Sequence, residues 1–140
     1  MAYDRNNIFA KILRGEIPCH KVYEDEQTLA FMDVMPQSDG HALVIPKYEA
    51  ENLHQLPVAQ LQSLIAHTQR IAGAAMKAFK ADGITLMQFN GEAGGQTVFH
   101  IHFHVVPRYL GKPMASHARQ FADQAVLAKQ AELLRAALND

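Results

Sequence analysis

The hydrophobic pattern changes period along the chain, and each change marks an element. From Ile8 to Arg14 the apolar residues Ile8, Phe9 and Ile12 fall on one side of a helical turn and Gly15 ends the run, which predicts a short helix. Val22-Tyr23-Glu24 and Thr28 to Met32 are β-prone stretches on either side of the acidic turn Asp25-Glu26, which predicts two strands. Pro36 to Gly40 is a loop by composition, and His41 to Ile45 reads as a strand stopped by Pro46. Between Pro57 and Ala81 the residues Leu61, Leu64, Ile65, Thr68, Ile71, Ala72, Ala75, Met76 and Phe79 recur at helical spacing, predicting one long amphipathic helix with Pro57 in its first turn. Its stripe is expected to meet the core or a second subunit. Ile84 to Phe89 is a strand, Gly91 to Gly95 a glycine-rich loop, and Phe121 to Leu138 a second amphipathic helix. Strands with few helices between them imply an α+β fold on an antiparallel sheet, not alternating βαβ units.

The segment from Val98 to Pro107 stands apart. His100, His102 and His104 alternate with Phe99, Ile101, Phe103 and Val105, the two-residue period of a half-buried strand. The apolar set is expected in the core, with all three imidazoles on the other face. An imidazole can be nucleophile, general acid or base, or metal ligand near neutral pH.

Composition narrows what that strand can serve. Thirteen Lys and Arg against fourteen Asp and Glu give a formal net charge of −1, which argues against general nucleic-acid binding and leaves room for a mononucleotide. Cys19 is the one cysteine, so an intramolecular disulfide and a cysteine-rich zinc site are excluded. The N-terminus is polar and no apolar run reaches membrane-spanning length, so a cytoplasmic location with no membrane partner is expected. Without a repeat, a low-complexity tract or a long linker, residues 1–140 are expected to form one domain, with a core at about 5–108 and a C-terminal helical extension at about 120–139.

Two chemistries are open to the histidines. A His-x-His pair can chelate zinc, but on a flat strand the outer two of the three lie about 13 Å apart, beyond the reach of one ion, so a further ligand must come from elsewhere. Alternatively an imidazole nitrogen attacks phosphorus and forms a phosphoramidate that water then cleaves, provided nearby donors stabilise the charge. Gly91 to Thr97 has the look of a phosphate-cradling loop, with glycines for close backbone approach and the Thr97 hydroxyl.

The run from His100 to Val106, histidine alternating with an apolar residue and closed by two apolar residues, resembles the signature of the histidine-triad (HIT) family. Asn7 to Ile12, Gly15 to Pro18, Phe31 to Asp33, Gly40 to Pro46 and Gly95 to Val98 resemble further landmarks of that family in the same order. The resemblance implies a five-stranded antiparallel sheet with one long helix and shorter terminal helices, assembled as a homodimer through the long helix and its adjoining strand. It implies a hydrolase of purine nucleotide conjugates, either phosphoramidates or dinucleoside polyphosphates. Cleavage falls at the α-phosphate, with His102 as the nucleophile that becomes nucleotidylated. His100 and His104 would flank it, His41 would support them, and Gly95, Gln96 and Thr97 would bind the phosphate. Asp33 would hold the ribose, while Ile8, Phe9, Ile12, Phe31 and Val34 would wall the base slot. No cofactor is required on this reading, although a divalent cation can accompany polyphosphate substrates.

Three departures from the family pattern bear on those expectations. Asn7 and Ala10 stand where many bacterial relatives carry Cys-x-x-Cys, so no structural zinc is expected. Phe89 occupies a position that is often Asn or Gln; the adjacent Asn90 is the remaining candidate for that nucleotide contact, although on a strand it would face the other way. The third triad position is His104, not the glutamine of the uridylyltransferase branch, which favours hydrolysis. Outside the motif, His20, His54, His67 and His117 are expected on the surface, Cys19 as an inert thiol, and Arg108 in a solvated or ion-paired role. A His-ligated metallohydrolase and a slowly turning nucleotide-binding regulatory module are the rival readings.

Overall fold

The computed structural model describes residues 2–116 and 120–139. Its first helix, α1 (Ile8–Leu13), starts at Asn7, whose side chain accepts a hydrogen bond from the Ala10 amide at 2.9 Å. Strands β1 (Lys21–Glu24) and β2 (Thr28–Met32) form a hairpin. The acidic turn between them works through Asp25, whose carboxylate accepts from the amides of Gln27 and Thr28 at 2.8 and 2.9 Å. Strand β3 (Ala42–Pro46), the long helix α2 (Val58–Ala78), β4 (Gly83–Met87), β5 (Phe103–Arg108) and α3 (Gln124–Leu138) complete the chain. The five strands lie in the order β1-β2-β3-β5-β4, every neighbouring pair antiparallel. This is the α+β architecture expected, with one long helix and shorter helices near the ends.

Helices cover both faces of the sheet, so β2 and β3 are buried along their whole length. Alternation still sorts their side chains. Ala30, Met32, Ala42 and Val44 join Leu64, Ile71 and Ala75 of α2 and Leu127 and Leu134 of α3 in the larger core. Leu29, Phe31, Leu43 and Ile45 point the other way, to Phe9 of α1. His104 pairs with Leu43 across the β3–β5 ladder, so it belongs to the α1 face. The stripe of α2 divides as expected in part: Leu64, Thr68, Ile71 and Ala75 are buried, while Val58, Ile65 and Met76 are exposed.

Several boundaries differ from the sequence pattern, and each has a local cause. The histidine strand begins only at Phe103; His100 and His102 precede it in a bent, irregular stretch whose Ile101 amide bonds to the Ala50 carbonyl, beyond the regular ladder. Ile101 and Val105 are in the core, but Phe99 and Phe103 are only half-buried. Pro46 is the last residue of β3 rather than its stop. Strand β4 ends at Met87 because Gln88 and Asn90 turn their amides to each other. Helix α3 starts at Gln124, capped by Asp123, because the Ala122 amide is held by the Val34 carbonyl at 2.9 Å. Among the described residues no helix is long and apolar enough to cross a membrane.

Gly40, which leads into β3, is fixed by geometry on two counts. Its φ is +88°, and a Cβ there would fall 2.5 Å from the Phe79 ring at the end of α2. Gly40→Ala is expected to cost about 2–4 kcal/mol from left-handed strain plus overpacking. The check is a lowered urea midpoint at unchanged slope.

Candidate active site

Four buried imidazoles lie in a row along the β3–β5 pair: His100 and His102 just before β5, His104 within it, and His41 just before β3 and so toward the opposite end of the antiparallel pair. The hydrogen bonds around them assign their protons, because a carbonyl can only accept and an amide can only donate. The His102 Nδ1–H donates to the carbonyl of His100 at 2.7 Å, which leaves the lone pair on Nε2. The Gln37 amide donates to His41 Nδ1 at 3.0 Å, so His41 carries its proton on Nε2 and donates to His104 Nδ1 at 2.9 Å. His104 therefore holds its own proton on Nε2. His100 Nε2–H donates to the Pro46 carbonyl at 2.7 Å, and its Nδ1 accepts from the Tyr3 hydroxyl. Burial pushes the His100 pKa below the usual imidazole value, against smaller opposing contributions from the Pro46 carbonyl and Glu49.

These rings stand beside an apolar pocket of about 300 Å³. Ile8, Phe9, Ile12, Phe31 and Val34 line it together with Thr97, Asp33, His102 and His104, so the expected base-slot residues are brought to one place. Phe9 meets the His102 ring edge-on at 4.8 Å, and His102 and His104 lie 4.9 Å apart between ring centres. Asp33, at the end of β2, accepts from the Met35 amide at 2.9 Å and sets its other oxygen 3.4 Å from His41 Nε2. His41 and His100 are not in the pocket wall; they stand behind the rings that are.

The glycine-rich loop is arranged differently from an anion cradle. The amides of Gly94, Gly95 and Gln96 bond to the loop's own carbonyls at Gly91, Glu92 and Gly91. The Gln96 side chain is buried and ties the loop together, accepting from the Gly91 amide at 2.7 Å and donating to the Glu51 carbonyl at 2.6 Å. Asn90 accepts from the Leu53 amide at 2.7 Å. Gly95, Gln96 and Asn90 are thus not brought to the pocket wall, and of this stretch Thr97 and Val98 are. Phe89 meets the His104 ring edge-on at 5.6 Å between ring centres and is not in the pocket wall.

Sequence reasoning missed Tyr3, the Gln37 amide and the Pro46 carbonyl; two of these are backbone groups, which carry no residue signature. Among the wall residues it also missed are Cys19 and Phe121. Cys19 borders the pocket, and burial pushes its thiol above the usual cysteine pKa, in keeping with an inert role. Phe121 borders it from the segment just before α3. Of the isolated histidines, His67 stacks on Tyr23 and lies 3.1 Å from an Asp25 oxygen, and His20 bonds to Gln124. His117 lies outside the described residues. Arg108 donates to the Thr85 hydroxyl at 3.2 Å.

Among the described residues, one set of three donors could be considered for a metal. Ligand atoms of Asp33, His41 and His104 lie within 4.8 Å of one another, supplying the outside ligand that the strand alone lacks. The Gln37 amide opposes such a site. With Nδ1 already accepting, His41 could ligate through Nε2 only as an imidazolate, so the trio suits a shared proton better than an ion. At the Cys-x-x-Cys positions, Asn7 caps α1 and Ala10 offers no ligand atom.

The fold and site together define an antiparallel α+β protein whose sheet presents oriented imidazoles beside an apolar slot. The HIT domain profile matches residues 14–111, and the chain belongs to the histidine-triad family. It is 43% identical to the Bacillus subtilis protein hit over 104 residues, covering 74% of this chain and 72% of that one. It is 39% identical over 101 residues to the Schizosaccharomyces pombe protein named adenosine 5'-monophosphoramidase hnt1, covering 72% of this chain and 73% of that one. The crystal structure of a Hit-like protein from Bartonella henselae superposes with a TM-score of 0.91 at 49% identity, over 97% of this chain and 99% of that one.

Burial of His100 has a consequence for stability. The unfolded chain takes up a proton as pH falls through the ordinary imidazole value, while folded His100 stays neutral until lower pH. The unfolded state then binds more protons, so stability falls as pH drops through this window. Urea midpoints measured from about pH 7.5 to about pH 5 are expected to decline less steeply in His100→Asn than in wild type.

Proposed function

We propose that the protein hydrolyses purine nucleoside 5'-phosphoramidates through a covalent nucleotidyl-His102 intermediate. The observation that carries this reading is the bond from His102 Nδ1–H to the His100 carbonyl, which holds the nucleophilic nitrogen at Nε2 in a ring that borders the pocket. Nε2 bonds to the α-phosphorus while the phosphorus–nitrogen bond to the leaving amine breaks and the amine departs with a proton taken from solvent, which the attacking water of the second step returns. The ring becomes cationic in the intermediate, and the His100 carbonyl stabilises it. Water then attacks the same phosphorus, the bond to Nε2 breaks, and the nucleoside monophosphate leaves with the neutral ring restored.

The remaining roles follow from position. The His104 Nε2–H, held by the Gln37–His41 relay, and the Thr97 hydroxyl serve as donors to the phosphate oxygens. Asp33 accepts from the ribose hydroxyls, and Ile8, Phe9, Ile12, Phe31 and Val34 enclose the base. Gly95 and Gln96 act by shaping the loop that presents Thr97. The donor set neutralises phosphate charge without a required cofactor. The name of the Schizosaccharomyces pombe relative supports a phosphoramidate over a dinucleoside polyphosphate. We also take residues 1–140 as one domain, and we infer a cytoplasmic enzyme with no nucleic-acid partner from its balanced charge and single cysteine.

The test is AMP release from adenosine 5'-phosphoramidate and from diadenosine tetraphosphate with EDTA present. His102→Ala is expected to lower the rate by about four orders of magnitude while the phosphoramidate remains the better wild-type substrate. Activity lost to EDTA and restored by zinc would instead establish a metallohydrolase. Tight AMP binding with slow turnover unchanged in His102→Ala would establish a binding module.

A homodimer belongs to the same reading. It is supported by the exposed Val58 and Ile65 on α2 and by Leu86 on β4, an edge strand with no fully buried residue. Wild type is expected to sediment as a dimer and Ile65→Glu as a monomer; equal sedimentation of the two would remove α2 from the interface.

A further inference from the structure

His100 poses a question that the nucleotide pocket does not answer. It is wholly buried and absent from the pocket wall, so its ring cannot touch a bound nucleotide. What it offers the reaction is its backbone carbonyl, the acceptor that sets the ring of His102. The placement of that carbonyl depends on how His100 itself is held. The backbone is pinned next door by the Ile101 amide on the Ala50 carbonyl at 2.9 Å, and the ring is anchored at both nitrogens. One anchor is the Pro46 carbonyl. The other is the hydroxyl of Tyr3, 97 residues away in sequence, which meets the imidazole edge-on with ring centres 5.6 Å apart.

The direction of that contact is fixed. Since Pro46 can only accept, His100 has its proton on Nε2, its Nδ1 is an acceptor, and Tyr3 must donate. Burial pushes the phenol pKa above its usual value, so the donor keeps its proton around neutral pH. A ring held at one nitrogen can still swing about its side-chain bonds; held at both, it cannot. We propose that Tyr3 is a positioning residue of the triad, whose hydroxyl locks His100 and through the His100 carbonyl orients the nucleophile His102.

Tyr3 lies outside residues 14–111, the part matched by the family profile, in an N-terminal strap built to stay in place. The Asn7 amide nitrogen donates to the Asp4 carbonyl at 2.7 Å, the Arg14 guanidinium donates to the Arg5 carbonyl at 2.7 Å, and Arg5 pairs with Glu49 at 3.2 Å. The strap therefore delivers a hydroxyl to the rear of the triad from the side opposite the Pro46 carbonyl, completing a site that the matched segment leaves with one anchor on this ring.

The inference rests on the hydrolase reading for its kinetic consequence but not for its structural one, and the experiment separates them. Tyr3→Phe keeps the ring and removes the hydroxyl; Arg5→Ala removes only the exposed Arg5–Glu49 ion pair, leaving the bonds to the Arg5 and Asp4 carbonyls and the Tyr3–His100 contact in place. In Tyr3→Phe, kcat for adenosine 5'-phosphoramidate is expected to fall about ten-fold with KM within about two-fold, as fits the loss of one buried hydrogen bond. The side-chain nitrogen NMR signals of His100 Nδ1 and of the His102 ring are expected to shift in the same variant, while Arg5→Ala keeps wild-type kcat and signals. Unmoved His100 and His102 signals in Tyr3→Phe would overturn the proposal whether or not the substrate is the right one. An equal fall in kcat in Arg5→Ala with the His100 Nδ1 signal unmoved would also overturn it, because activity would then depend on the strap and not on the hydroxyl contact. Should wild type fail to hydrolyse the phosphoramidate while the signals shift as expected, the positioning role stands and the hydrolase reading falls.

Discussion

Each buried imidazole in this fold has its protons settled by the polypeptide backbone, and the site depends on that constraint. A neutral imidazole has one donor and one acceptor nitrogen, and burial makes an unmatched nitrogen costly. The His100 carbonyl, the Pro46 carbonyl and the Gln37 amide each dictate one tautomer. From these three assignments follow the lone pair on His102 Nε2 and the proton on His104 Nε2, an acceptor nitrogen and a donor nitrogen on neighbouring rings. A sheet that placed the same side chains without those backbone partners would leave both roles undetermined.

The backbone partners are in place because β3 and β5 are adjacent. The chain that follows β3 bonds to the chain that precedes β5 through Ala50 and Ile101, and the Pro46 carbonyl meets His100 in the same region. At the other end His41, just before β3, reaches His104 inside β5. One antiparallel pairing thus supplies both the rear anchor of the triad and its relay. Gly40 sharpens the turn into β3 where Phe79 leaves no room for a side chain, so the end of α2 helps set where that pairing begins. The link runs from a single residue's conformation, through packing, to the orientation of the catalytic candidates.

The sequence made the architecture legible wherever one period held for several residues. Long α2 and the paired strands β2 and β3 follow from their patterns, because burial on a single face or on both leaves a clear mark. It misled where polar side chains or backbone groups compete with the pattern. The alternation from His100 to Val106 suggested one continuous strand, yet His100 and His102 bond outside the ladder and Phe99 is only half-buried. The apolar slot was legible as residues but not as a surface, since Cys19 and Phe121 join it from distant turns. The glycine loop shows the limit most plainly. Its composition allows an anion cradle or a self-bonded turn, and only the carbonyls of Gly91 and Glu92 decide for the second.

That outcome bears on how charge on a phosphate would be met. With the amides of Gly94, Gly95 and Gln96 turned inward, the donors at the pocket wall are the Thr97 hydroxyl and imidazole N–H groups. An imidazole donor is useful to a developing anion only if its proton is on the outward nitrogen. For His104 that requires a hydrogen bond arriving at Nδ1, and His41 provides one because Gln37 occupies its far side. The same requirement is what disfavours an ion among Asp33, His41 and His104, although their ligand atoms lie close enough. Proton relay and metal ligation make opposite demands on His41 Nε2, and the amide of Gln37 decides between them.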